Sequence, residues 1–179
     1  MNICVFSLNR FNNKSILIFQ IVSSIFTIIL GTILHFTYEW SNENLLVGTF
    51  SAVNESTWEH LKLLFFPMLI TTIIGYFYIG KELPNFLCSK TLGIVTAIIF
   101  TVVFFYTYAG ILGTNFAVLN ILTFIISAIL GEYVAYKLMT SNFQCNKNIS
   151  IISLIVLLLS FVIFTYFTPQ IGLFKDPVS

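Results

Sequence analysis

Charge is what this chain lacks most. Only 8% of its residues are Asp, Glu, Lys or Arg, against roughly 25% in a typical soluble domain. So few charges cannot wet the surface of a folded chain, and lipid becomes the expected solvent. The net charge of +1 leaves no basic footprint, which argues against a nucleic-acid partner. Cysteine is scarce too. Cys4, Cys88 and Cys145 are the three present, and none falls in a C-x-x-C spacing, so neither a zinc ribbon nor a disulfide-dense scaffold is indicated. No polar stretch is long enough to fold as a soluble unit, so residues 1–179 are expected to form a single transmembrane domain.

What is present instead is apolar sequence. Hydrophobic residues make up 58% of the chain, and its mean hydropathy is +0.96. Five apolar runs, 15–37, 58–79, 91–113, 118–139 and 149–168, are each about as long as a membrane-crossing helix. They lack the alternation of a barrel strand, and backbone groups in lipid must bond within their own segment, so helices are expected. The fold class is therefore an all-α bundle of five transmembrane helices in contact with the lipid bilayer, a multi-pass protein of the cell membrane. Arg10 and Lys14 before the first run resemble the start of a secretory signal. That run is longer than a signal's apolar core of roughly 7–15 residues, so it is read as a retained helix.

Basic residues give the orientation. Arg10, Lys14, Lys81, Lys90, Lys137 and Lys147 fall on the N-terminal side of the membrane, and only Lys62 and Lys175 fall opposite. The positive-inside rule then puts the N-terminus in the cytoplasm and the C-terminus outside. All three cysteines fall on the cytoplasmic side, where thiols stay reduced, so they are expected to be incidental and not disulfide-bonded.

The residues with chemistry gather at the other face. His35 and Glu39 end the first run four residues apart, on one helical face, with Gly31 one turn earlier as a place for a neighbouring helix to come close. The second run opens Asn54-Glu55-Ser56-Thr57-Trp58-Glu59-His60-Leu61-Lys62. If the helix already includes Glu55, then Glu55, Glu59 and Lys62 form one stripe and His60 points elsewhere. Both clusters border the polar loop 38–57, and long loops are often functional. His35, Glu39, Glu55, Glu59 and His60 are thus the candidate catalytic residues, and His35, Glu39 and Glu59 the candidate ligands of a divalent metal such as Zn²⁺, Mn²⁺ or Fe²⁺. A structural reading competes. Ser56-x-x-Glu59 matches a capping box, Glu59 and Lys62 can pair at i, i+3, and Tyr38, Trp40 and Trp58 suit interface anchors.

Three other features carry weaker signals. Pro67 interrupts the second run and should leave a carbonyl unbonded. Tyr106 and Tyr108 lie in the outer half of the third. Glu132 lies about two turns from the cytoplasmic end of the fourth, where an acid needs either a partner or a task.

The runs His35-Phe36-Thr37-Tyr38-Glu39-Trp40 and Val47-Gly48-Thr49-Phe50, and above all Asn54 to Leu63, resemble an uncharacterised family of small bacterial multi-pass membrane proteins. Tyr106-Thr107-Tyr108, Gly110 to Gly113 and Gly172 to Pro177 fit it as well, and the chain departs from the pattern at Ala52, where the family has proline. The resemblance implies a bacterial inner-membrane protein and no particular activity. Three functions stay open: a membrane enzyme that binds a metal or a lipid headgroup, a small transporter or channel using Glu132, and an accessory protein that docks a protein partner or a second copy through loop 38–57.

The orientation has a direct test. In a cysteine-free background, single cysteines at Ser41 and Asn115 should react with an impermeant thiol reagent in intact cells, and cysteines at Asn85 and Asn146 should not. The opposite pattern would invert the topology.

Overall fold

The computed structural model describes residues 12–177, in which all regular structure is helical. Five long helices, α1 (Asn13–Trp40), α3 (Thr57–Tyr78), α4 (Phe86–Leu112), α5 (Ala117–Met139) and α6 (Lys147–Tyr166), are each long and apolar enough to cross a membrane. A short helix α2 (Leu45–Gly48) sits in the loop between α1 and α3. Single 3₁₀ turns follow α3 at Gly80–Glu82 and α6 at Gly172–Phe174. These features are consistent with a multi-pass membrane protein. Arg10 and Cys4 lie outside the described residues.

The helix ends follow from local chemistry. Asn12 caps α1, its side chain accepting from the Ser15 backbone at 2.8 Å. Gly113 ends α4 in the left-handed region, φ 73°, a conformation glycine adopts without a Cβ penalty. Helix α4 begins at Phe86, five residues before the expected start at Thr91. Ser89 and Lys90, which lie outside the expected run, are buried inside the helix together with Thr91.

That shift explains Glu132. Lys90 Nζ lies 2.6 Å from both oxygens of Glu132, with 0% and 1% of the two residues exposed. Thr71 Oγ1 and Gln20 Oε1 complete the surroundings of the ammonium at 3.4 and 3.5 Å. One polar node thus joins α1, α3, α4 and α5. It also removes Lys90 from the tally of loop charges, as burial removes Lys62.

Small residues let the backbones approach. A Cβ on Gly93 would collide with the Gly131 carbonyl, and one on Gly131 with the Gly93 carbonyl, so α4 and α5 cross at a glycine pair. A Cβ on Gly31 would lie 2.5 Å from the Leu63 carbonyl oxygen. That carbonyl has no i+4 donor, because Pro67 has no N–H. Helix α1 therefore lays its backbone against the one carbonyl that proline strips of its helical partner, a setting for a Cα–H···O contact.

Two expectations are corrected. Cys88 and Cys145 are paired, Cα to Cα 6.3 Å, which ties the first turn of α4 to the α5–α6 link; their separation in sequence concealed the contact. Trp58 is not an interface anchor: its ring stands 4.7 Å from those of Phe161 and Phe174, inside the aromatic cluster that holds α6. Trp40, 69% exposed, remains on the surface.

Removing one member of the Lys90–Glu132 pair leaves a buried charge uncompensated. Lys90→Met should destabilise by about 3–5 kcal/mol, whereas Lys90→Met with Glu132→Leu should recover most of that loss. Thermal unfolding of the detergent-purified variants reads both; equal damage in single and double variants would mean that the pair is not the source.

Candidate functional site

The end of α1, the segment before α3 and the first turn of α3 meet at one face. There His35, Glu55 and His60 each bring a ligand-capable atom within 4.8 Å of the other two. The imidazole centroids of His35 and His60 are 5.1 Å apart, and His60 Nε2 is 3.5 Å from a Glu55 oxygen. His60 Nδ1 lies 2.9 Å from the Ser56 carbonyl, to which its N–H donates, so Nε2 is the nitrogen turned to Glu55. A backbone acceptor on one ring nitrogen fixes the orientation of the ring and of its other nitrogen. His35 Nδ1 is buried and has no hydrogen-bond partner.

The helix start determines this grouping. Helix α3 opens at Thr57, capped by Ser56, so Glu55 is not on the helix and the stripe Glu55–Glu59–Lys62 does not form. Freed from helical phase, Glu55 turns to His60. Glu39 is exposed and borders a shallow depression of about 100 Å³ that also touches His35 and Glu55, at the edge of the cluster.

Glu59 goes elsewhere. Its carboxylate is buried, 2.5 Å from Lys62 Nζ, and accepts from the Val53 backbone and Thr165 Oγ1, each at 3.0 Å. Lys62 donates to the Gly48 carbonyl at 2.7 Å and to Thr165 at 3.0 Å. The geometry does not bring Glu59 to His35, and the capping box forms only in its Ser56 half, 3.4 Å from the Glu59 backbone. The pair instead clamps loop 38–57 onto α3 and α6. Ser51 helps, accepting from the Tyr38 backbone at 3.0 Å and donating to the Leu34 carbonyl. Tyr166 reaches the loop from α6, donating to the Leu45 carbonyl at 2.6 Å.

His35, Glu55 and His60 stand on the wall of a cavity of about 590 Å³ between α1, α3, α4 and α5. Neither Tyr106 nor Tyr108 lines it; Phe105 does. Tyr108 contributes indirectly, bonded to the Asn120 side chain, which is a wall residue. Asn115 and Asn120 were not among the candidate residues read from the sequence. Their signal was present, since Asn120 is an amide within an apolar run.

Comparison with known proteins adds the family and nothing finer. A family of unknown function (DUF6512) matches residues 7–179. The chain belongs to that family. No curated protein and no solved structure matches it.

Loss of the Glu59–Lys62 clamp should loosen the loop selectively. Lys62→Met frees the Gly48 carbonyl and leaves Glu59 unpaired, at a cost of about 3 kcal/mol or more. Hydrogen exchange should rise by at least tenfold over residues 45–53 and change little across α4 and α5. Unchanged protection of the loop would show that something else holds it.

Proposed function

We propose that the protein is a bacterial inner-membrane protein that binds a divalent transition-metal ion of the zinc class at His35, Glu55 and His60. The observation that carries this reading is the convergence of two imidazoles and one carboxylate, their ligand-capable atoms within 4.8 Å of one another. Two nitrogens and a carboxylate oxygen are a zinc-site donor set that leaves a fourth position open. Donors bound at about 2.0–2.1 Å around a tetrahedral ion stand about 3.3 Å apart. Binding therefore requires the three side chains to draw together by up to about 1.5 Å. Glu55 is exposed and not fixed by the helix, so it can supply much of that movement.

The orientation proposed with it has the N-terminus in the cytoplasm and the metal site at the outer face. Among the described residues, Lys14, Lys81, Lys137 and Lys147 still gather at the opposite end of the bundle. In that orientation the Cys88–Cys145 pair faces the cytoplasm, where the compartment favours free thiols. A transport pathway through Glu132 has less support, because Lys90 already compensates the acid and helices close around the pair.

Metal content tests the reading. Purified protein equilibrated with Zn²⁺ and then desalted should retain about one ion per chain. His35→Ala and His60→Ala should each weaken retention by at least tenfold, while Glu39→Gln retains it. A parent protein that holds no zinc above background, or equal zinc in the parent and both histidine variants, would end this reading.

A further inference from the structure

The cavity continues beyond the metal-ligand cluster into the bundle. From Thr57 to Leu64 its α3 wall spans two turns, about 10 Å along the axis. Its volume of about 590 Å³ falls within the range of roughly 300–1,000 Å³ usual for small-molecule sites. Polarity is graded along that depth. At the loop end stand His35, Glu55, His60 and Asn115; at the deep end stand Leu63, Leu64 and Phe124. The deep hydroxyls are already committed, Thr101 donating to Ser127 at 2.7 Å and Thr123 to the Leu119 carbonyl at 2.6 Å. Carbon is therefore the main surface on offer there.

The cavity is also open to the side. Phe36 of α1 and Ile121 of α5 line it and are 43% and 59% exposed, beside the exposed apolar residues Ile33, Val118 and Leu122 of the same helices. The seam between α1 and α5 thus leads from the cavity to a band of exposed apolar side chains, the part of the molecule that would meet hydrocarbon. A soluble metabolite gains nothing from such an entrance, whereas a lipid chain enters through it without crossing water.

We propose that the cavity seats a lipid with one apolar chain and an anionic oxygen headgroup, a carboxylate or a phosphate. The chain enters through the α1–α5 seam and lies between Leu64 and Phe124. The head faces His35, Glu55 and His60 and takes the open position on the bound cation. The placement of the head rests on the metal reading above; the seat of the chain does not.

The test uses the full chain in phosphatidylcholine nanodiscs loaded with Zn²⁺. The probe is a long-chain fatty acid with a diazirine at its terminal carbon, and its photoadducts are mapped by peptide mass spectrometry. Adducts are expected on the deep wall, at Leu64, Thr101 or Thr123. Thr123→Phe, which fills the deep end, and Ala117→Trp, which narrows the space at the start of α5, should each cut those adducts at least tenfold with zinc content unchanged. Elution as a single species and thermal stability identify a variant that has misfolded, and the other variant then decides. The methyl ester of the probe lacks the anionic head and should label at least fivefold less in the parent, but equally with the acid in His60→Ala. Adducts confined to outward-facing residues, or unaffected by both blocking variants, would overturn the chain's seat while leaving zinc binding intact. Deep labelling that is equal for acid and ester would overturn the headgroup's place. Absence of zinc from a parent that still labels deeply would end the metal reading and the head placement with it, and would leave the chain's seat standing.

Discussion

The approach of α1 to α3 at Gly31 governs the geometry of the candidate site. Pro67 removes the donor that would otherwise bond the Leu63 carbonyl, and Gly31 has no Cβ to keep α1 away from it. The backbones meet there. His35 lies one turn beyond Gly31, and His60 lies three residues before Leu63. Closing the helices at that point brings the two imidazoles to a centroid separation of 5.1 Å. A larger residue at position 31 would part the helices and the histidines together. Neither residue has a ligating atom, yet both help to determine where the ligating atoms stand.

Two buried ion pairs supply the rest of the frame, in different ways. Lys90 and Glu132 meet in the middle of four helices, and Lys62 and Glu59 meet where the long loop folds over α3 and α6. Withdrawing charges from water is costly, so such pairs are poor sources of net stability. Their physical effect here is selective. Once desolvated, each charge tolerates few alternative arrangements. The first pair fixes which helices are neighbours. The second holds the Gly48 carbonyl and the Val53 backbone, and so sets the path by which the chain arrives at Glu55. The bundle and the candidate site share this dependence on charges that never reach solvent.

Much of the architecture was legible in the sequence, because the solvent requires it. Apolar runs of about 20 residues in a chain so poor in charge have few other ways to bury their backbone groups. Where the reading slipped, a charge was taken at face value. Lys90 looked like a loop residue and so delayed the start of α4, when in fact it is the partner of Glu132. Glu59 was read as a ligand, a cap or the i, i+3 partner of Lys62, and the last is what forms, with Val53 and Thr165 completing its surroundings. Glu55 would have joined a helical stripe had the helix included it, but α3 begins two residues after it. His35 and His60 were expected beside one loop, but the contact of their rings was not, since helical phase within one segment says nothing about the angle at which two segments cross.

The sequence by itself determined the number of long helices, their approximate limits, and the gathering of histidines and acids beside one loop. These are local properties: runs of apolar residues, caps, proline and glycine act on their own neighbourhood. Only the tertiary structure decided which acid joins the histidines, that Glu132 has a cation to compensate it, that Cys88 and Cys145 meet, and how far the cavity beneath the cluster runs into the bundle. Each of these depends on the approach of segments far apart in the chain. That approach is set by close contacts at Gly31, Gly93 and Gly131 and by the pairing of desolvated charges, and neither leaves a periodic trace in the order of the residues.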